Sequence, residues 1–190
     1  TQIFRLDASR KDLPTRLVDL APEEDTWVAI DSDGKISRSI DDKRPRISGY
    51  EAPKWLVNAK TTDTLYLVTK KGEAASIPVH AVPQADKPSE GVPYSRICPL
   101  NSQDKLGAIL TLPPESALPE EGYVVTVTQQ GMVKKSDVHE LPGPAAAKFT
   151  FVRVNEGDEL RWINITDGQQ EIILVTSHGM MIRFSEEDVR

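Results

Sequence analysis

Four short segments of the chain carry the same pattern, and each is centred on a glycine. They run from Trp27 to Arg38, Leu65 to Ser76, Val124 to Lys135 and Ile172 to Arg183, around Gly34, Gly72, Gly131 and Gly179. Each opens with β-branched, aromatic or leucine residues that suit a pleated, mostly buried strand. A polar pair, the glycine and a second run alternating apolar and polar follow. The glycine belongs where a tight hairpin demands positive φ, a conformation that costs glycine nothing. Three units place threonine three residues before it (Thr69, Thr128, Thr176), and the first places Asp31 there. A hairpin repeated four times restricts the chain to an all-β array of like units.

The glycines lie 38, 59 and 48 residues apart, an irregular period within the range of propeller-like blades. A further strand is predicted ahead of three hairpins, at Trp55–Ala59, Lys105–Leu112 and Glu159–Ile165. The tract from Thr15 to Leu20 is a poorer copy ahead of the first. Connectors rich in proline and glycine separate the units, at Pro83–Pro93, Pro113–Gly122 and Leu141–Ala147. No stretch shows a long 3.6-residue apolar period, and no apolar run reaches the ~18 residues of a membrane-crossing helix. Cys98 is the single cysteine, so the chain holds neither an internal disulfide nor a thiolate metal cluster, and a reducing setting is expected.

Enzyme chemistry has little to stand on here. Asp31-Ser32-Asp33-Gly34 imitates part of a calcium loop, but that register would put the first ligand on Ala29 and the bidentate glutamate on Ile40, so a turn is expected. His80, His139 and His178 have no paired metal-ligand spacing. No phosphate-loop or nucleophile-elbow pattern occurs. Trp27, Trp55 and Trp162 lie on expected strands and are assigned to the core rather than to base stacking.

The net charge of −6 argues against a nucleic-acid partner, which needs a concentrated positive surface. Its distribution is uneven. Between Gly34 and Lys60 seven basic residues (Lys35, Arg38, Lys43, Arg44, Arg46, Lys54, Lys60) face Asp41, Asp42 and Glu51. Arg38, Lys135 and Arg183 share one repeat position, four after the glycine, where the second unit has Ser76. Lys134 is a neighbour, and Lys70 and Lys71 occupy the second turn. Recurring charges would form an exposed rim able to follow a phosphate backbone. Their other possible role is to solubilise hairpin tips and block edge pairing.

Several stretches resemble the C-terminal domain of DNA gyrase A and its counterpart in topoisomerase IV. They include the Thr128-Gln129-Gln130-Gly131 hairpin followed by Lys134 and Lys135, and the acidic strand opener Glu156-Gly157-Asp158-Glu159-Leu160. Ile182-Arg183-Phe184 with its acidic tail to Val189 and Arg190, and the connector from Gly91 to Leu100, complete the set. The resemblance spans about Pro22 to Arg190 in family order, and it implies a β-pinwheel, propeller-like but with strands exchanged between blades. About four units are expected, forming a single domain over residues 1–190 that stops where the family continues, hence a partial domain.

The resemblance further implies sequence-independent binding, bending and wrapping of duplex DNA. The DNA-binding set would be Arg38, Lys43, Arg44, Arg46, Lys70, Lys71, Lys134, Lys135 and Arg183, with no catalytic residue and no metal. The cleaving tyrosine, ATP and magnesium would lie on the N-terminal cleavage core or a B subunit of an ATP-dependent enzyme in the bacterial cytoplasm, on the nucleoid. One departure stands out. Where gyrase carries a glutamine-, arginine- and glycine-rich heptapeptide, Asp42 to Tyr50 keeps basic residues and one glycine but no glutamine and no double glycine. Gyrase-like and topoisomerase IV-like roles both stay open, and a propeller-like protein-interaction module without DNA binding is the rival reading.

Overall fold

The computed structural model describes residues 22–45, 52–145 and 147–189. Thirteen strands and a few single-turn 3-10 helices make up its regular structure, and no α-helix occurs among the described residues. The tract from Thr15 to Leu20, and the positions of Arg46, Tyr50 and Arg190, lie outside them.

The four repeated segments form hairpins β1–β2 (Asp25–Ile30, Lys35–Arg38), β4–β5 (Thr64–Thr69, Glu73–Pro78), β8–β9 (Tyr123–Thr128, Val133–Asp137) and β12–β13 (Glu171–Val175, Met181–Ser185). Their turns are one structure built four times. Gly34, Gly72, Gly131 and Gly179 have φ between 78° and 85°. Each donates its N–H to the carbonyl three residues back, on Asp31, Thr69, Thr128 or Thr176. The same residues' side chains accept a second bond from the N–H four residues on, from Lys35, Glu73, Met132 and Met180 at 2.8–3.1 Å. Threonine or aspartate three before the glycine is thus a turn cap. In Asp31 the carboxylate is occupied by backbone donors, as a turn requires.

The three additional strands are β3 (Trp55–Lys60), β7 (Leu106–Leu112) and β11 (Leu160–Thr166). Each lies ahead of a hairpin in sequence but pairs with the hairpin before it: β3 with β1, β7 with β4, β11 with β8. Two short segments, one at the end of a connector and one just after another, add a fourth strand further back still. β6 (Val92–Pro93) pairs with β2, and β10 (Phe149–Thr150) pairs with β5. The sheets are therefore β3-β1-β2-β6 (blade 1), β7-β4-β5-β10 (blade 2), β11-β8-β9 (blade 3) and β12-β13 (blade 4). Blade 1 is finished by a strand that follows the hairpin of blade 2, and blade 2 by one that follows the hairpin of blade 3.

Two cores fill the spaces between blades. Val28, Ile30 and Ile36 of blade 1 pack with Leu65, Leu67 and Ile77 of blade 2. Tyr66, Val68 and Ala74 on the other face of blade 2 pack with Val124 and Leu160 of blade 3 and with Phe151. All six residues of β4 are buried, because it is covered on both faces. That explains an apolar run with no polar alternation. Blade 4 has no such cover among the described residues: Ile173, Val175 and Met181 stay exposed on one face of its sheet and Ile182 on the other.

Candidate nucleic-acid interface

The repeat position four after the glycine does not form one exposed rim. Ile36 and Arg38 are two residues apart on β2, and the pleat puts both side chains on one face. Arg38 is half-buried, its Nε donating to the Val82 carbonyl at 2.9 Å, and desolvation pushes its pKa below the ordinary value. Backbone bonds from Arg38 N–H to Pro83 and from Ala85 N–H to Arg38 strap the connector across it. Ser76 does the same work in blade 2: it is fully buried, its hydroxyl donates to the Gly143 carbonyl at 2.8 Å, and its carbonyl accepts from Ala145. Lys135 is half-buried, its ammonium 4.7 Å from the centre of the Tyr123 ring. Of the three cations expected at this position only Arg183 is exposed, and it lies 3.5 Å from Glu171. The expectation of a shared exposed rim is corrected accordingly: connectors cover this position in blades 1 and 2, while Lys135 and Arg183 meet residues of their own hairpins.

Lys134 and Lys71 are exposed on hairpin arm and turn, and exposed Lys43 pairs with Asp41 at 3.5 Å. Arg44 lies over the Trp27 ring at 5.8 Å. The tryptophans divide: Trp55 packs against the core between blades 1 and 2, and Trp27 and Trp162 belong to neither core. Trp27 and Trp55 are half-buried, and Trp162 is 60% exposed because it faces the open side of blade 3.

The structure gathers a different set of cations. Lys54 stands at the entry to β3 of blade 1, and Lys70 in the turn of blade 2. Lys105 opens β7, and Arg161 lies on β11 of blade 3. Glu159 sits among them. One of its oxygens, Oε2, accepts from Lys70 Nζ at 2.9 Å and from Arg161 Nη2 at 2.8 Å. The Lys70 bond, with the charges of Arg161 and Lys105, holds the Glu159 carboxyl below the ordinary glutamate range. Lys54, its ammonium 4.1 Å from the Trp55 ring, is pushed down by partial burial and then by the charges of Lys70 and Arg161, with Glu159 acting the other way.

Backbone bonds fix this arrangement. Lys70 donates its N–H to the Lys105 carbonyl, and its own carbonyl accepts from Leu160, both at 2.8 Å. Gln129, which occupies in blade 3 the place of Lys70, donates to the Glu159 carbonyl at 2.8 Å. Asp158 Oδ1 accepts from the N–H groups of Gln130 and Glu159, and Arg161 also grips Gln129 Oε1 at 2.7 Å. The acidic strand opener therefore ties the turn of blade 2 to the turn of blade 3. Only Lys70 of this group was expected from sequence. The signal for the others was their position: Leu106 and Leu160 pair with Thr69 and Thr128, so Lys105 and Glu159 occupy one repeat place. Trp55 and Trp162 pair with Ile30 and Val127, which makes Lys54 and Arg161 equivalent.

Tyr66 and Tyr94 have structural roles. Tyr66 OH donates to the Pro142 carbonyl at 2.9 Å, and Tyr94 OH to that of Asp104 at 2.7 Å. No group of three or more metal-ligating side chains lies together among the described residues.

Interleaved antiparallel blades built on one hairpin define a propeller-like, strand-exchanging β-pinwheel. Residues 122–167 and 170–190 match the family described as DNA gyrase C-terminal domain, beta-propeller. The DNA gyrase A protein of Klebsiella oxytoca is 30% identical over 98% of this chain and 22% of its own length. That of Haemophilus influenzae is 32% identical over 92% of this chain and 21% of its own length. The crystal structure of the C-terminal domain of DNA topoisomerase IV superimposes with a TM-score of 0.71 at 25% identity, over 89% of this chain and 54% of that one. A DNA gyrase A C-terminal domain gives 0.64 at 16% identity, over 88% and 56%. The chain belongs to the family of DNA gyrase A and topoisomerase IV C-terminal domains. It spans about a fifth of the length of the curated relatives it matches.

Proposed function

We propose that this chain binds duplex DNA through its phosphates, without reading sequence, and bends it for the cleavage core of a bacterial type IIA topoisomerase. The observation that carries this reading is the convergence of Lys54, Lys70, Lys105 and Arg161, from three successive blades, around Glu159, whose carboxylate is the one that bridges two of them. Cations spaced along adjoining blades can follow a phosphate backbone, and such contacts position a duplex without specifying it. Lys71 and Lys134 extend the positive surface, and Lys43, Arg44 and Arg183 add flanking charge. Arg38 and Lys135 act mainly by holding their blades. In this reading the chain is one domain, working on the nucleoid in the cytoplasm. Strand cleavage, ATP and magnesium belong to the N-terminal core and the B subunit. The second reading is a protein-interaction module, favoured by the net charge of −6 and the exposed apolar residues of blade 4.

Titration of fluorescent duplexes of random and defined sequence over a range of salt tests the proposal. Both should bind alike, with log affinity falling linearly against log salt. Replacing Lys54, Lys70 and Lys105 together by alanine should weaken binding about 10- to 1,000-fold and flatten the salt slope by about 2–3. The melting temperature should fall by no more than a few degrees. Duplex binding untouched by the triple change would favour the protein-interaction module.

A further inference from the structure

We infer that Glu159 is a built-in counter-ion that occupies the cationic cluster in the free protein and must be displaced by a DNA phosphate. The inference rests on the DNA-binding reading above and assigns the residue that sets the strength of that binding.

Glu159 has the geometry of a phosphate stand-in. A single oxygen, Oε2, takes Lys70 Nζ at 2.9 Å and Arg161 Nη2 at 2.8 Å, the kind of two-cation contact that a phosphate oxygen makes. The side chain is more than one-third exposed, so the contact lies open to an incoming ligand. Like any glutamate it is charged at neutral pH, and the Lys70 bond and nearby cations favour the charged form further. The other carboxylates nearby are otherwise engaged. Asp158 Oδ1 accepts two backbone N–H groups, and Asp104 Oδ2 accepts from Asn101 and lies 3.9 Å from Lys148. Of the three, Glu159 alone holds two side-chain cations on one oxygen.

The repeat isolates the effect of this one residue. Lys105 stands at the equivalent place in blade 2, where its carbonyl accepts from the turn of its own blade as the Glu159 carbonyl does. The backbone work at this position thus needs no acidic side chain. What the acid adds is charge. It makes Lys70 and Arg161 exchange one anion for another when DNA arrives, which reduces both the gain in contact energy and the net counter-ion release.

Duplex binding by Glu159→Gln, measured over the same salt range and beside thermal unfolding, tests this. Glutamine keeps the shape and loses the charge. The variant should bind about 3- to 10-fold more tightly at low salt, with a salt slope steeper by about one. Glu159→Ala, which removes the carboxylate but leaves the backbone bond from Gln129 at that position in place, should tighten binding by a similar factor. Wild-type binding that the glutamine variant leaves unchanged or weakened would overturn the inference while leaving the DNA reading intact. No duplex binding by either protein at low salt would overturn both. A glutamine variant that melts early is covered by the alanine variant measured below its melting temperature, where unchanged or weakened affinity again overturns the inference.

Discussion

Thr69, Thr128 and Thr176 were visible in the sequence as a recurring residue, and the structure gives the recurrence its cause: each caps the turn it precedes. Such local bonds span four residues and are legible from pattern alone. Tyr66 shows the opposite case. Its ring meets Phe149 and Phe151 edge-on and its hydroxyl donates to Pro142, none of which is near it in sequence. Burial pushes its pKa up from 10.0 to about 12. A raised pKa in the folded state gives stability that is complete below the unfolded value and lost as pH climbs through the folded one. Alkaline denaturation should therefore steepen between pH 10.0 and about 12. Tyr66→Phe should lose about 1 kcal/mol at neutral pH through the missing hydrogen bond, yet show a shallower alkaline decline in urea-melt stability. Tyr94, also raised by burial, would supply what remains. Lys105 and Arg161 escaped a reading by charge runs, and Lys54 counted only as one member of a basic stretch, because the three are far apart in sequence and meet only after the blades assemble.

The hairpins are identical as elements but unequal in setting, and glycine substitutions should separate the two. An added Cβ at Gly72 would lie 2.0 Å from the Val152 carbonyl oxygen, because the turn of blade 2 receives bonds from Phe151 and Val152 on the Gly72 carbonyl. At Gly131 and Gly179 nothing lies within 4 Å. Gly131→Ala should then cost only the left-handed backbone, about 1–2 kcal/mol. Gly72→Ala adds a clash with main chain and should cost at least ~3 kcal/mol. Chemical denaturation of the two variants side by side checks the difference. The hairpins and the three accompanying strands could be read from sequence because β-branched runs and turn glycines are local signals. β6 and β10 could not, since each is two residues long, β6 at the end of a proline-rich connector and β10 just beyond another. The partner sheet of each strand was equally hidden, because pairing across blades leaves no periodic trace.

At the scale of the whole molecule, the exchange of strands couples the blades. β6 belongs to blade 1 but is flanked in sequence by β5 and β7 of blade 2, so neither sheet can come apart alone. Ile36 is fully buried between them, and Ile36→Ala should cost about 2–5 kcal/mol. Hydrogen exchange should show that loss shared nearly equally by β1–β2 and β4–β5 amides, with β12–β13 already exchanging faster and unaffected. A loss confined to blade 1 would show that the sheets open separately. The same interleaving also constrains synthesis. The edge of β2 waits for Val92, roughly fifty residues after Arg38, which at ~5–20 residues per second is several seconds on the ribosome. Through that interval a nascent sheet presents unpaired backbone groups, and each new hairpin emerges before its predecessor is sealed. A slow, ordered emergence, or a chaperone resting on the open strand, would keep two growing chains from completing one another's sheets.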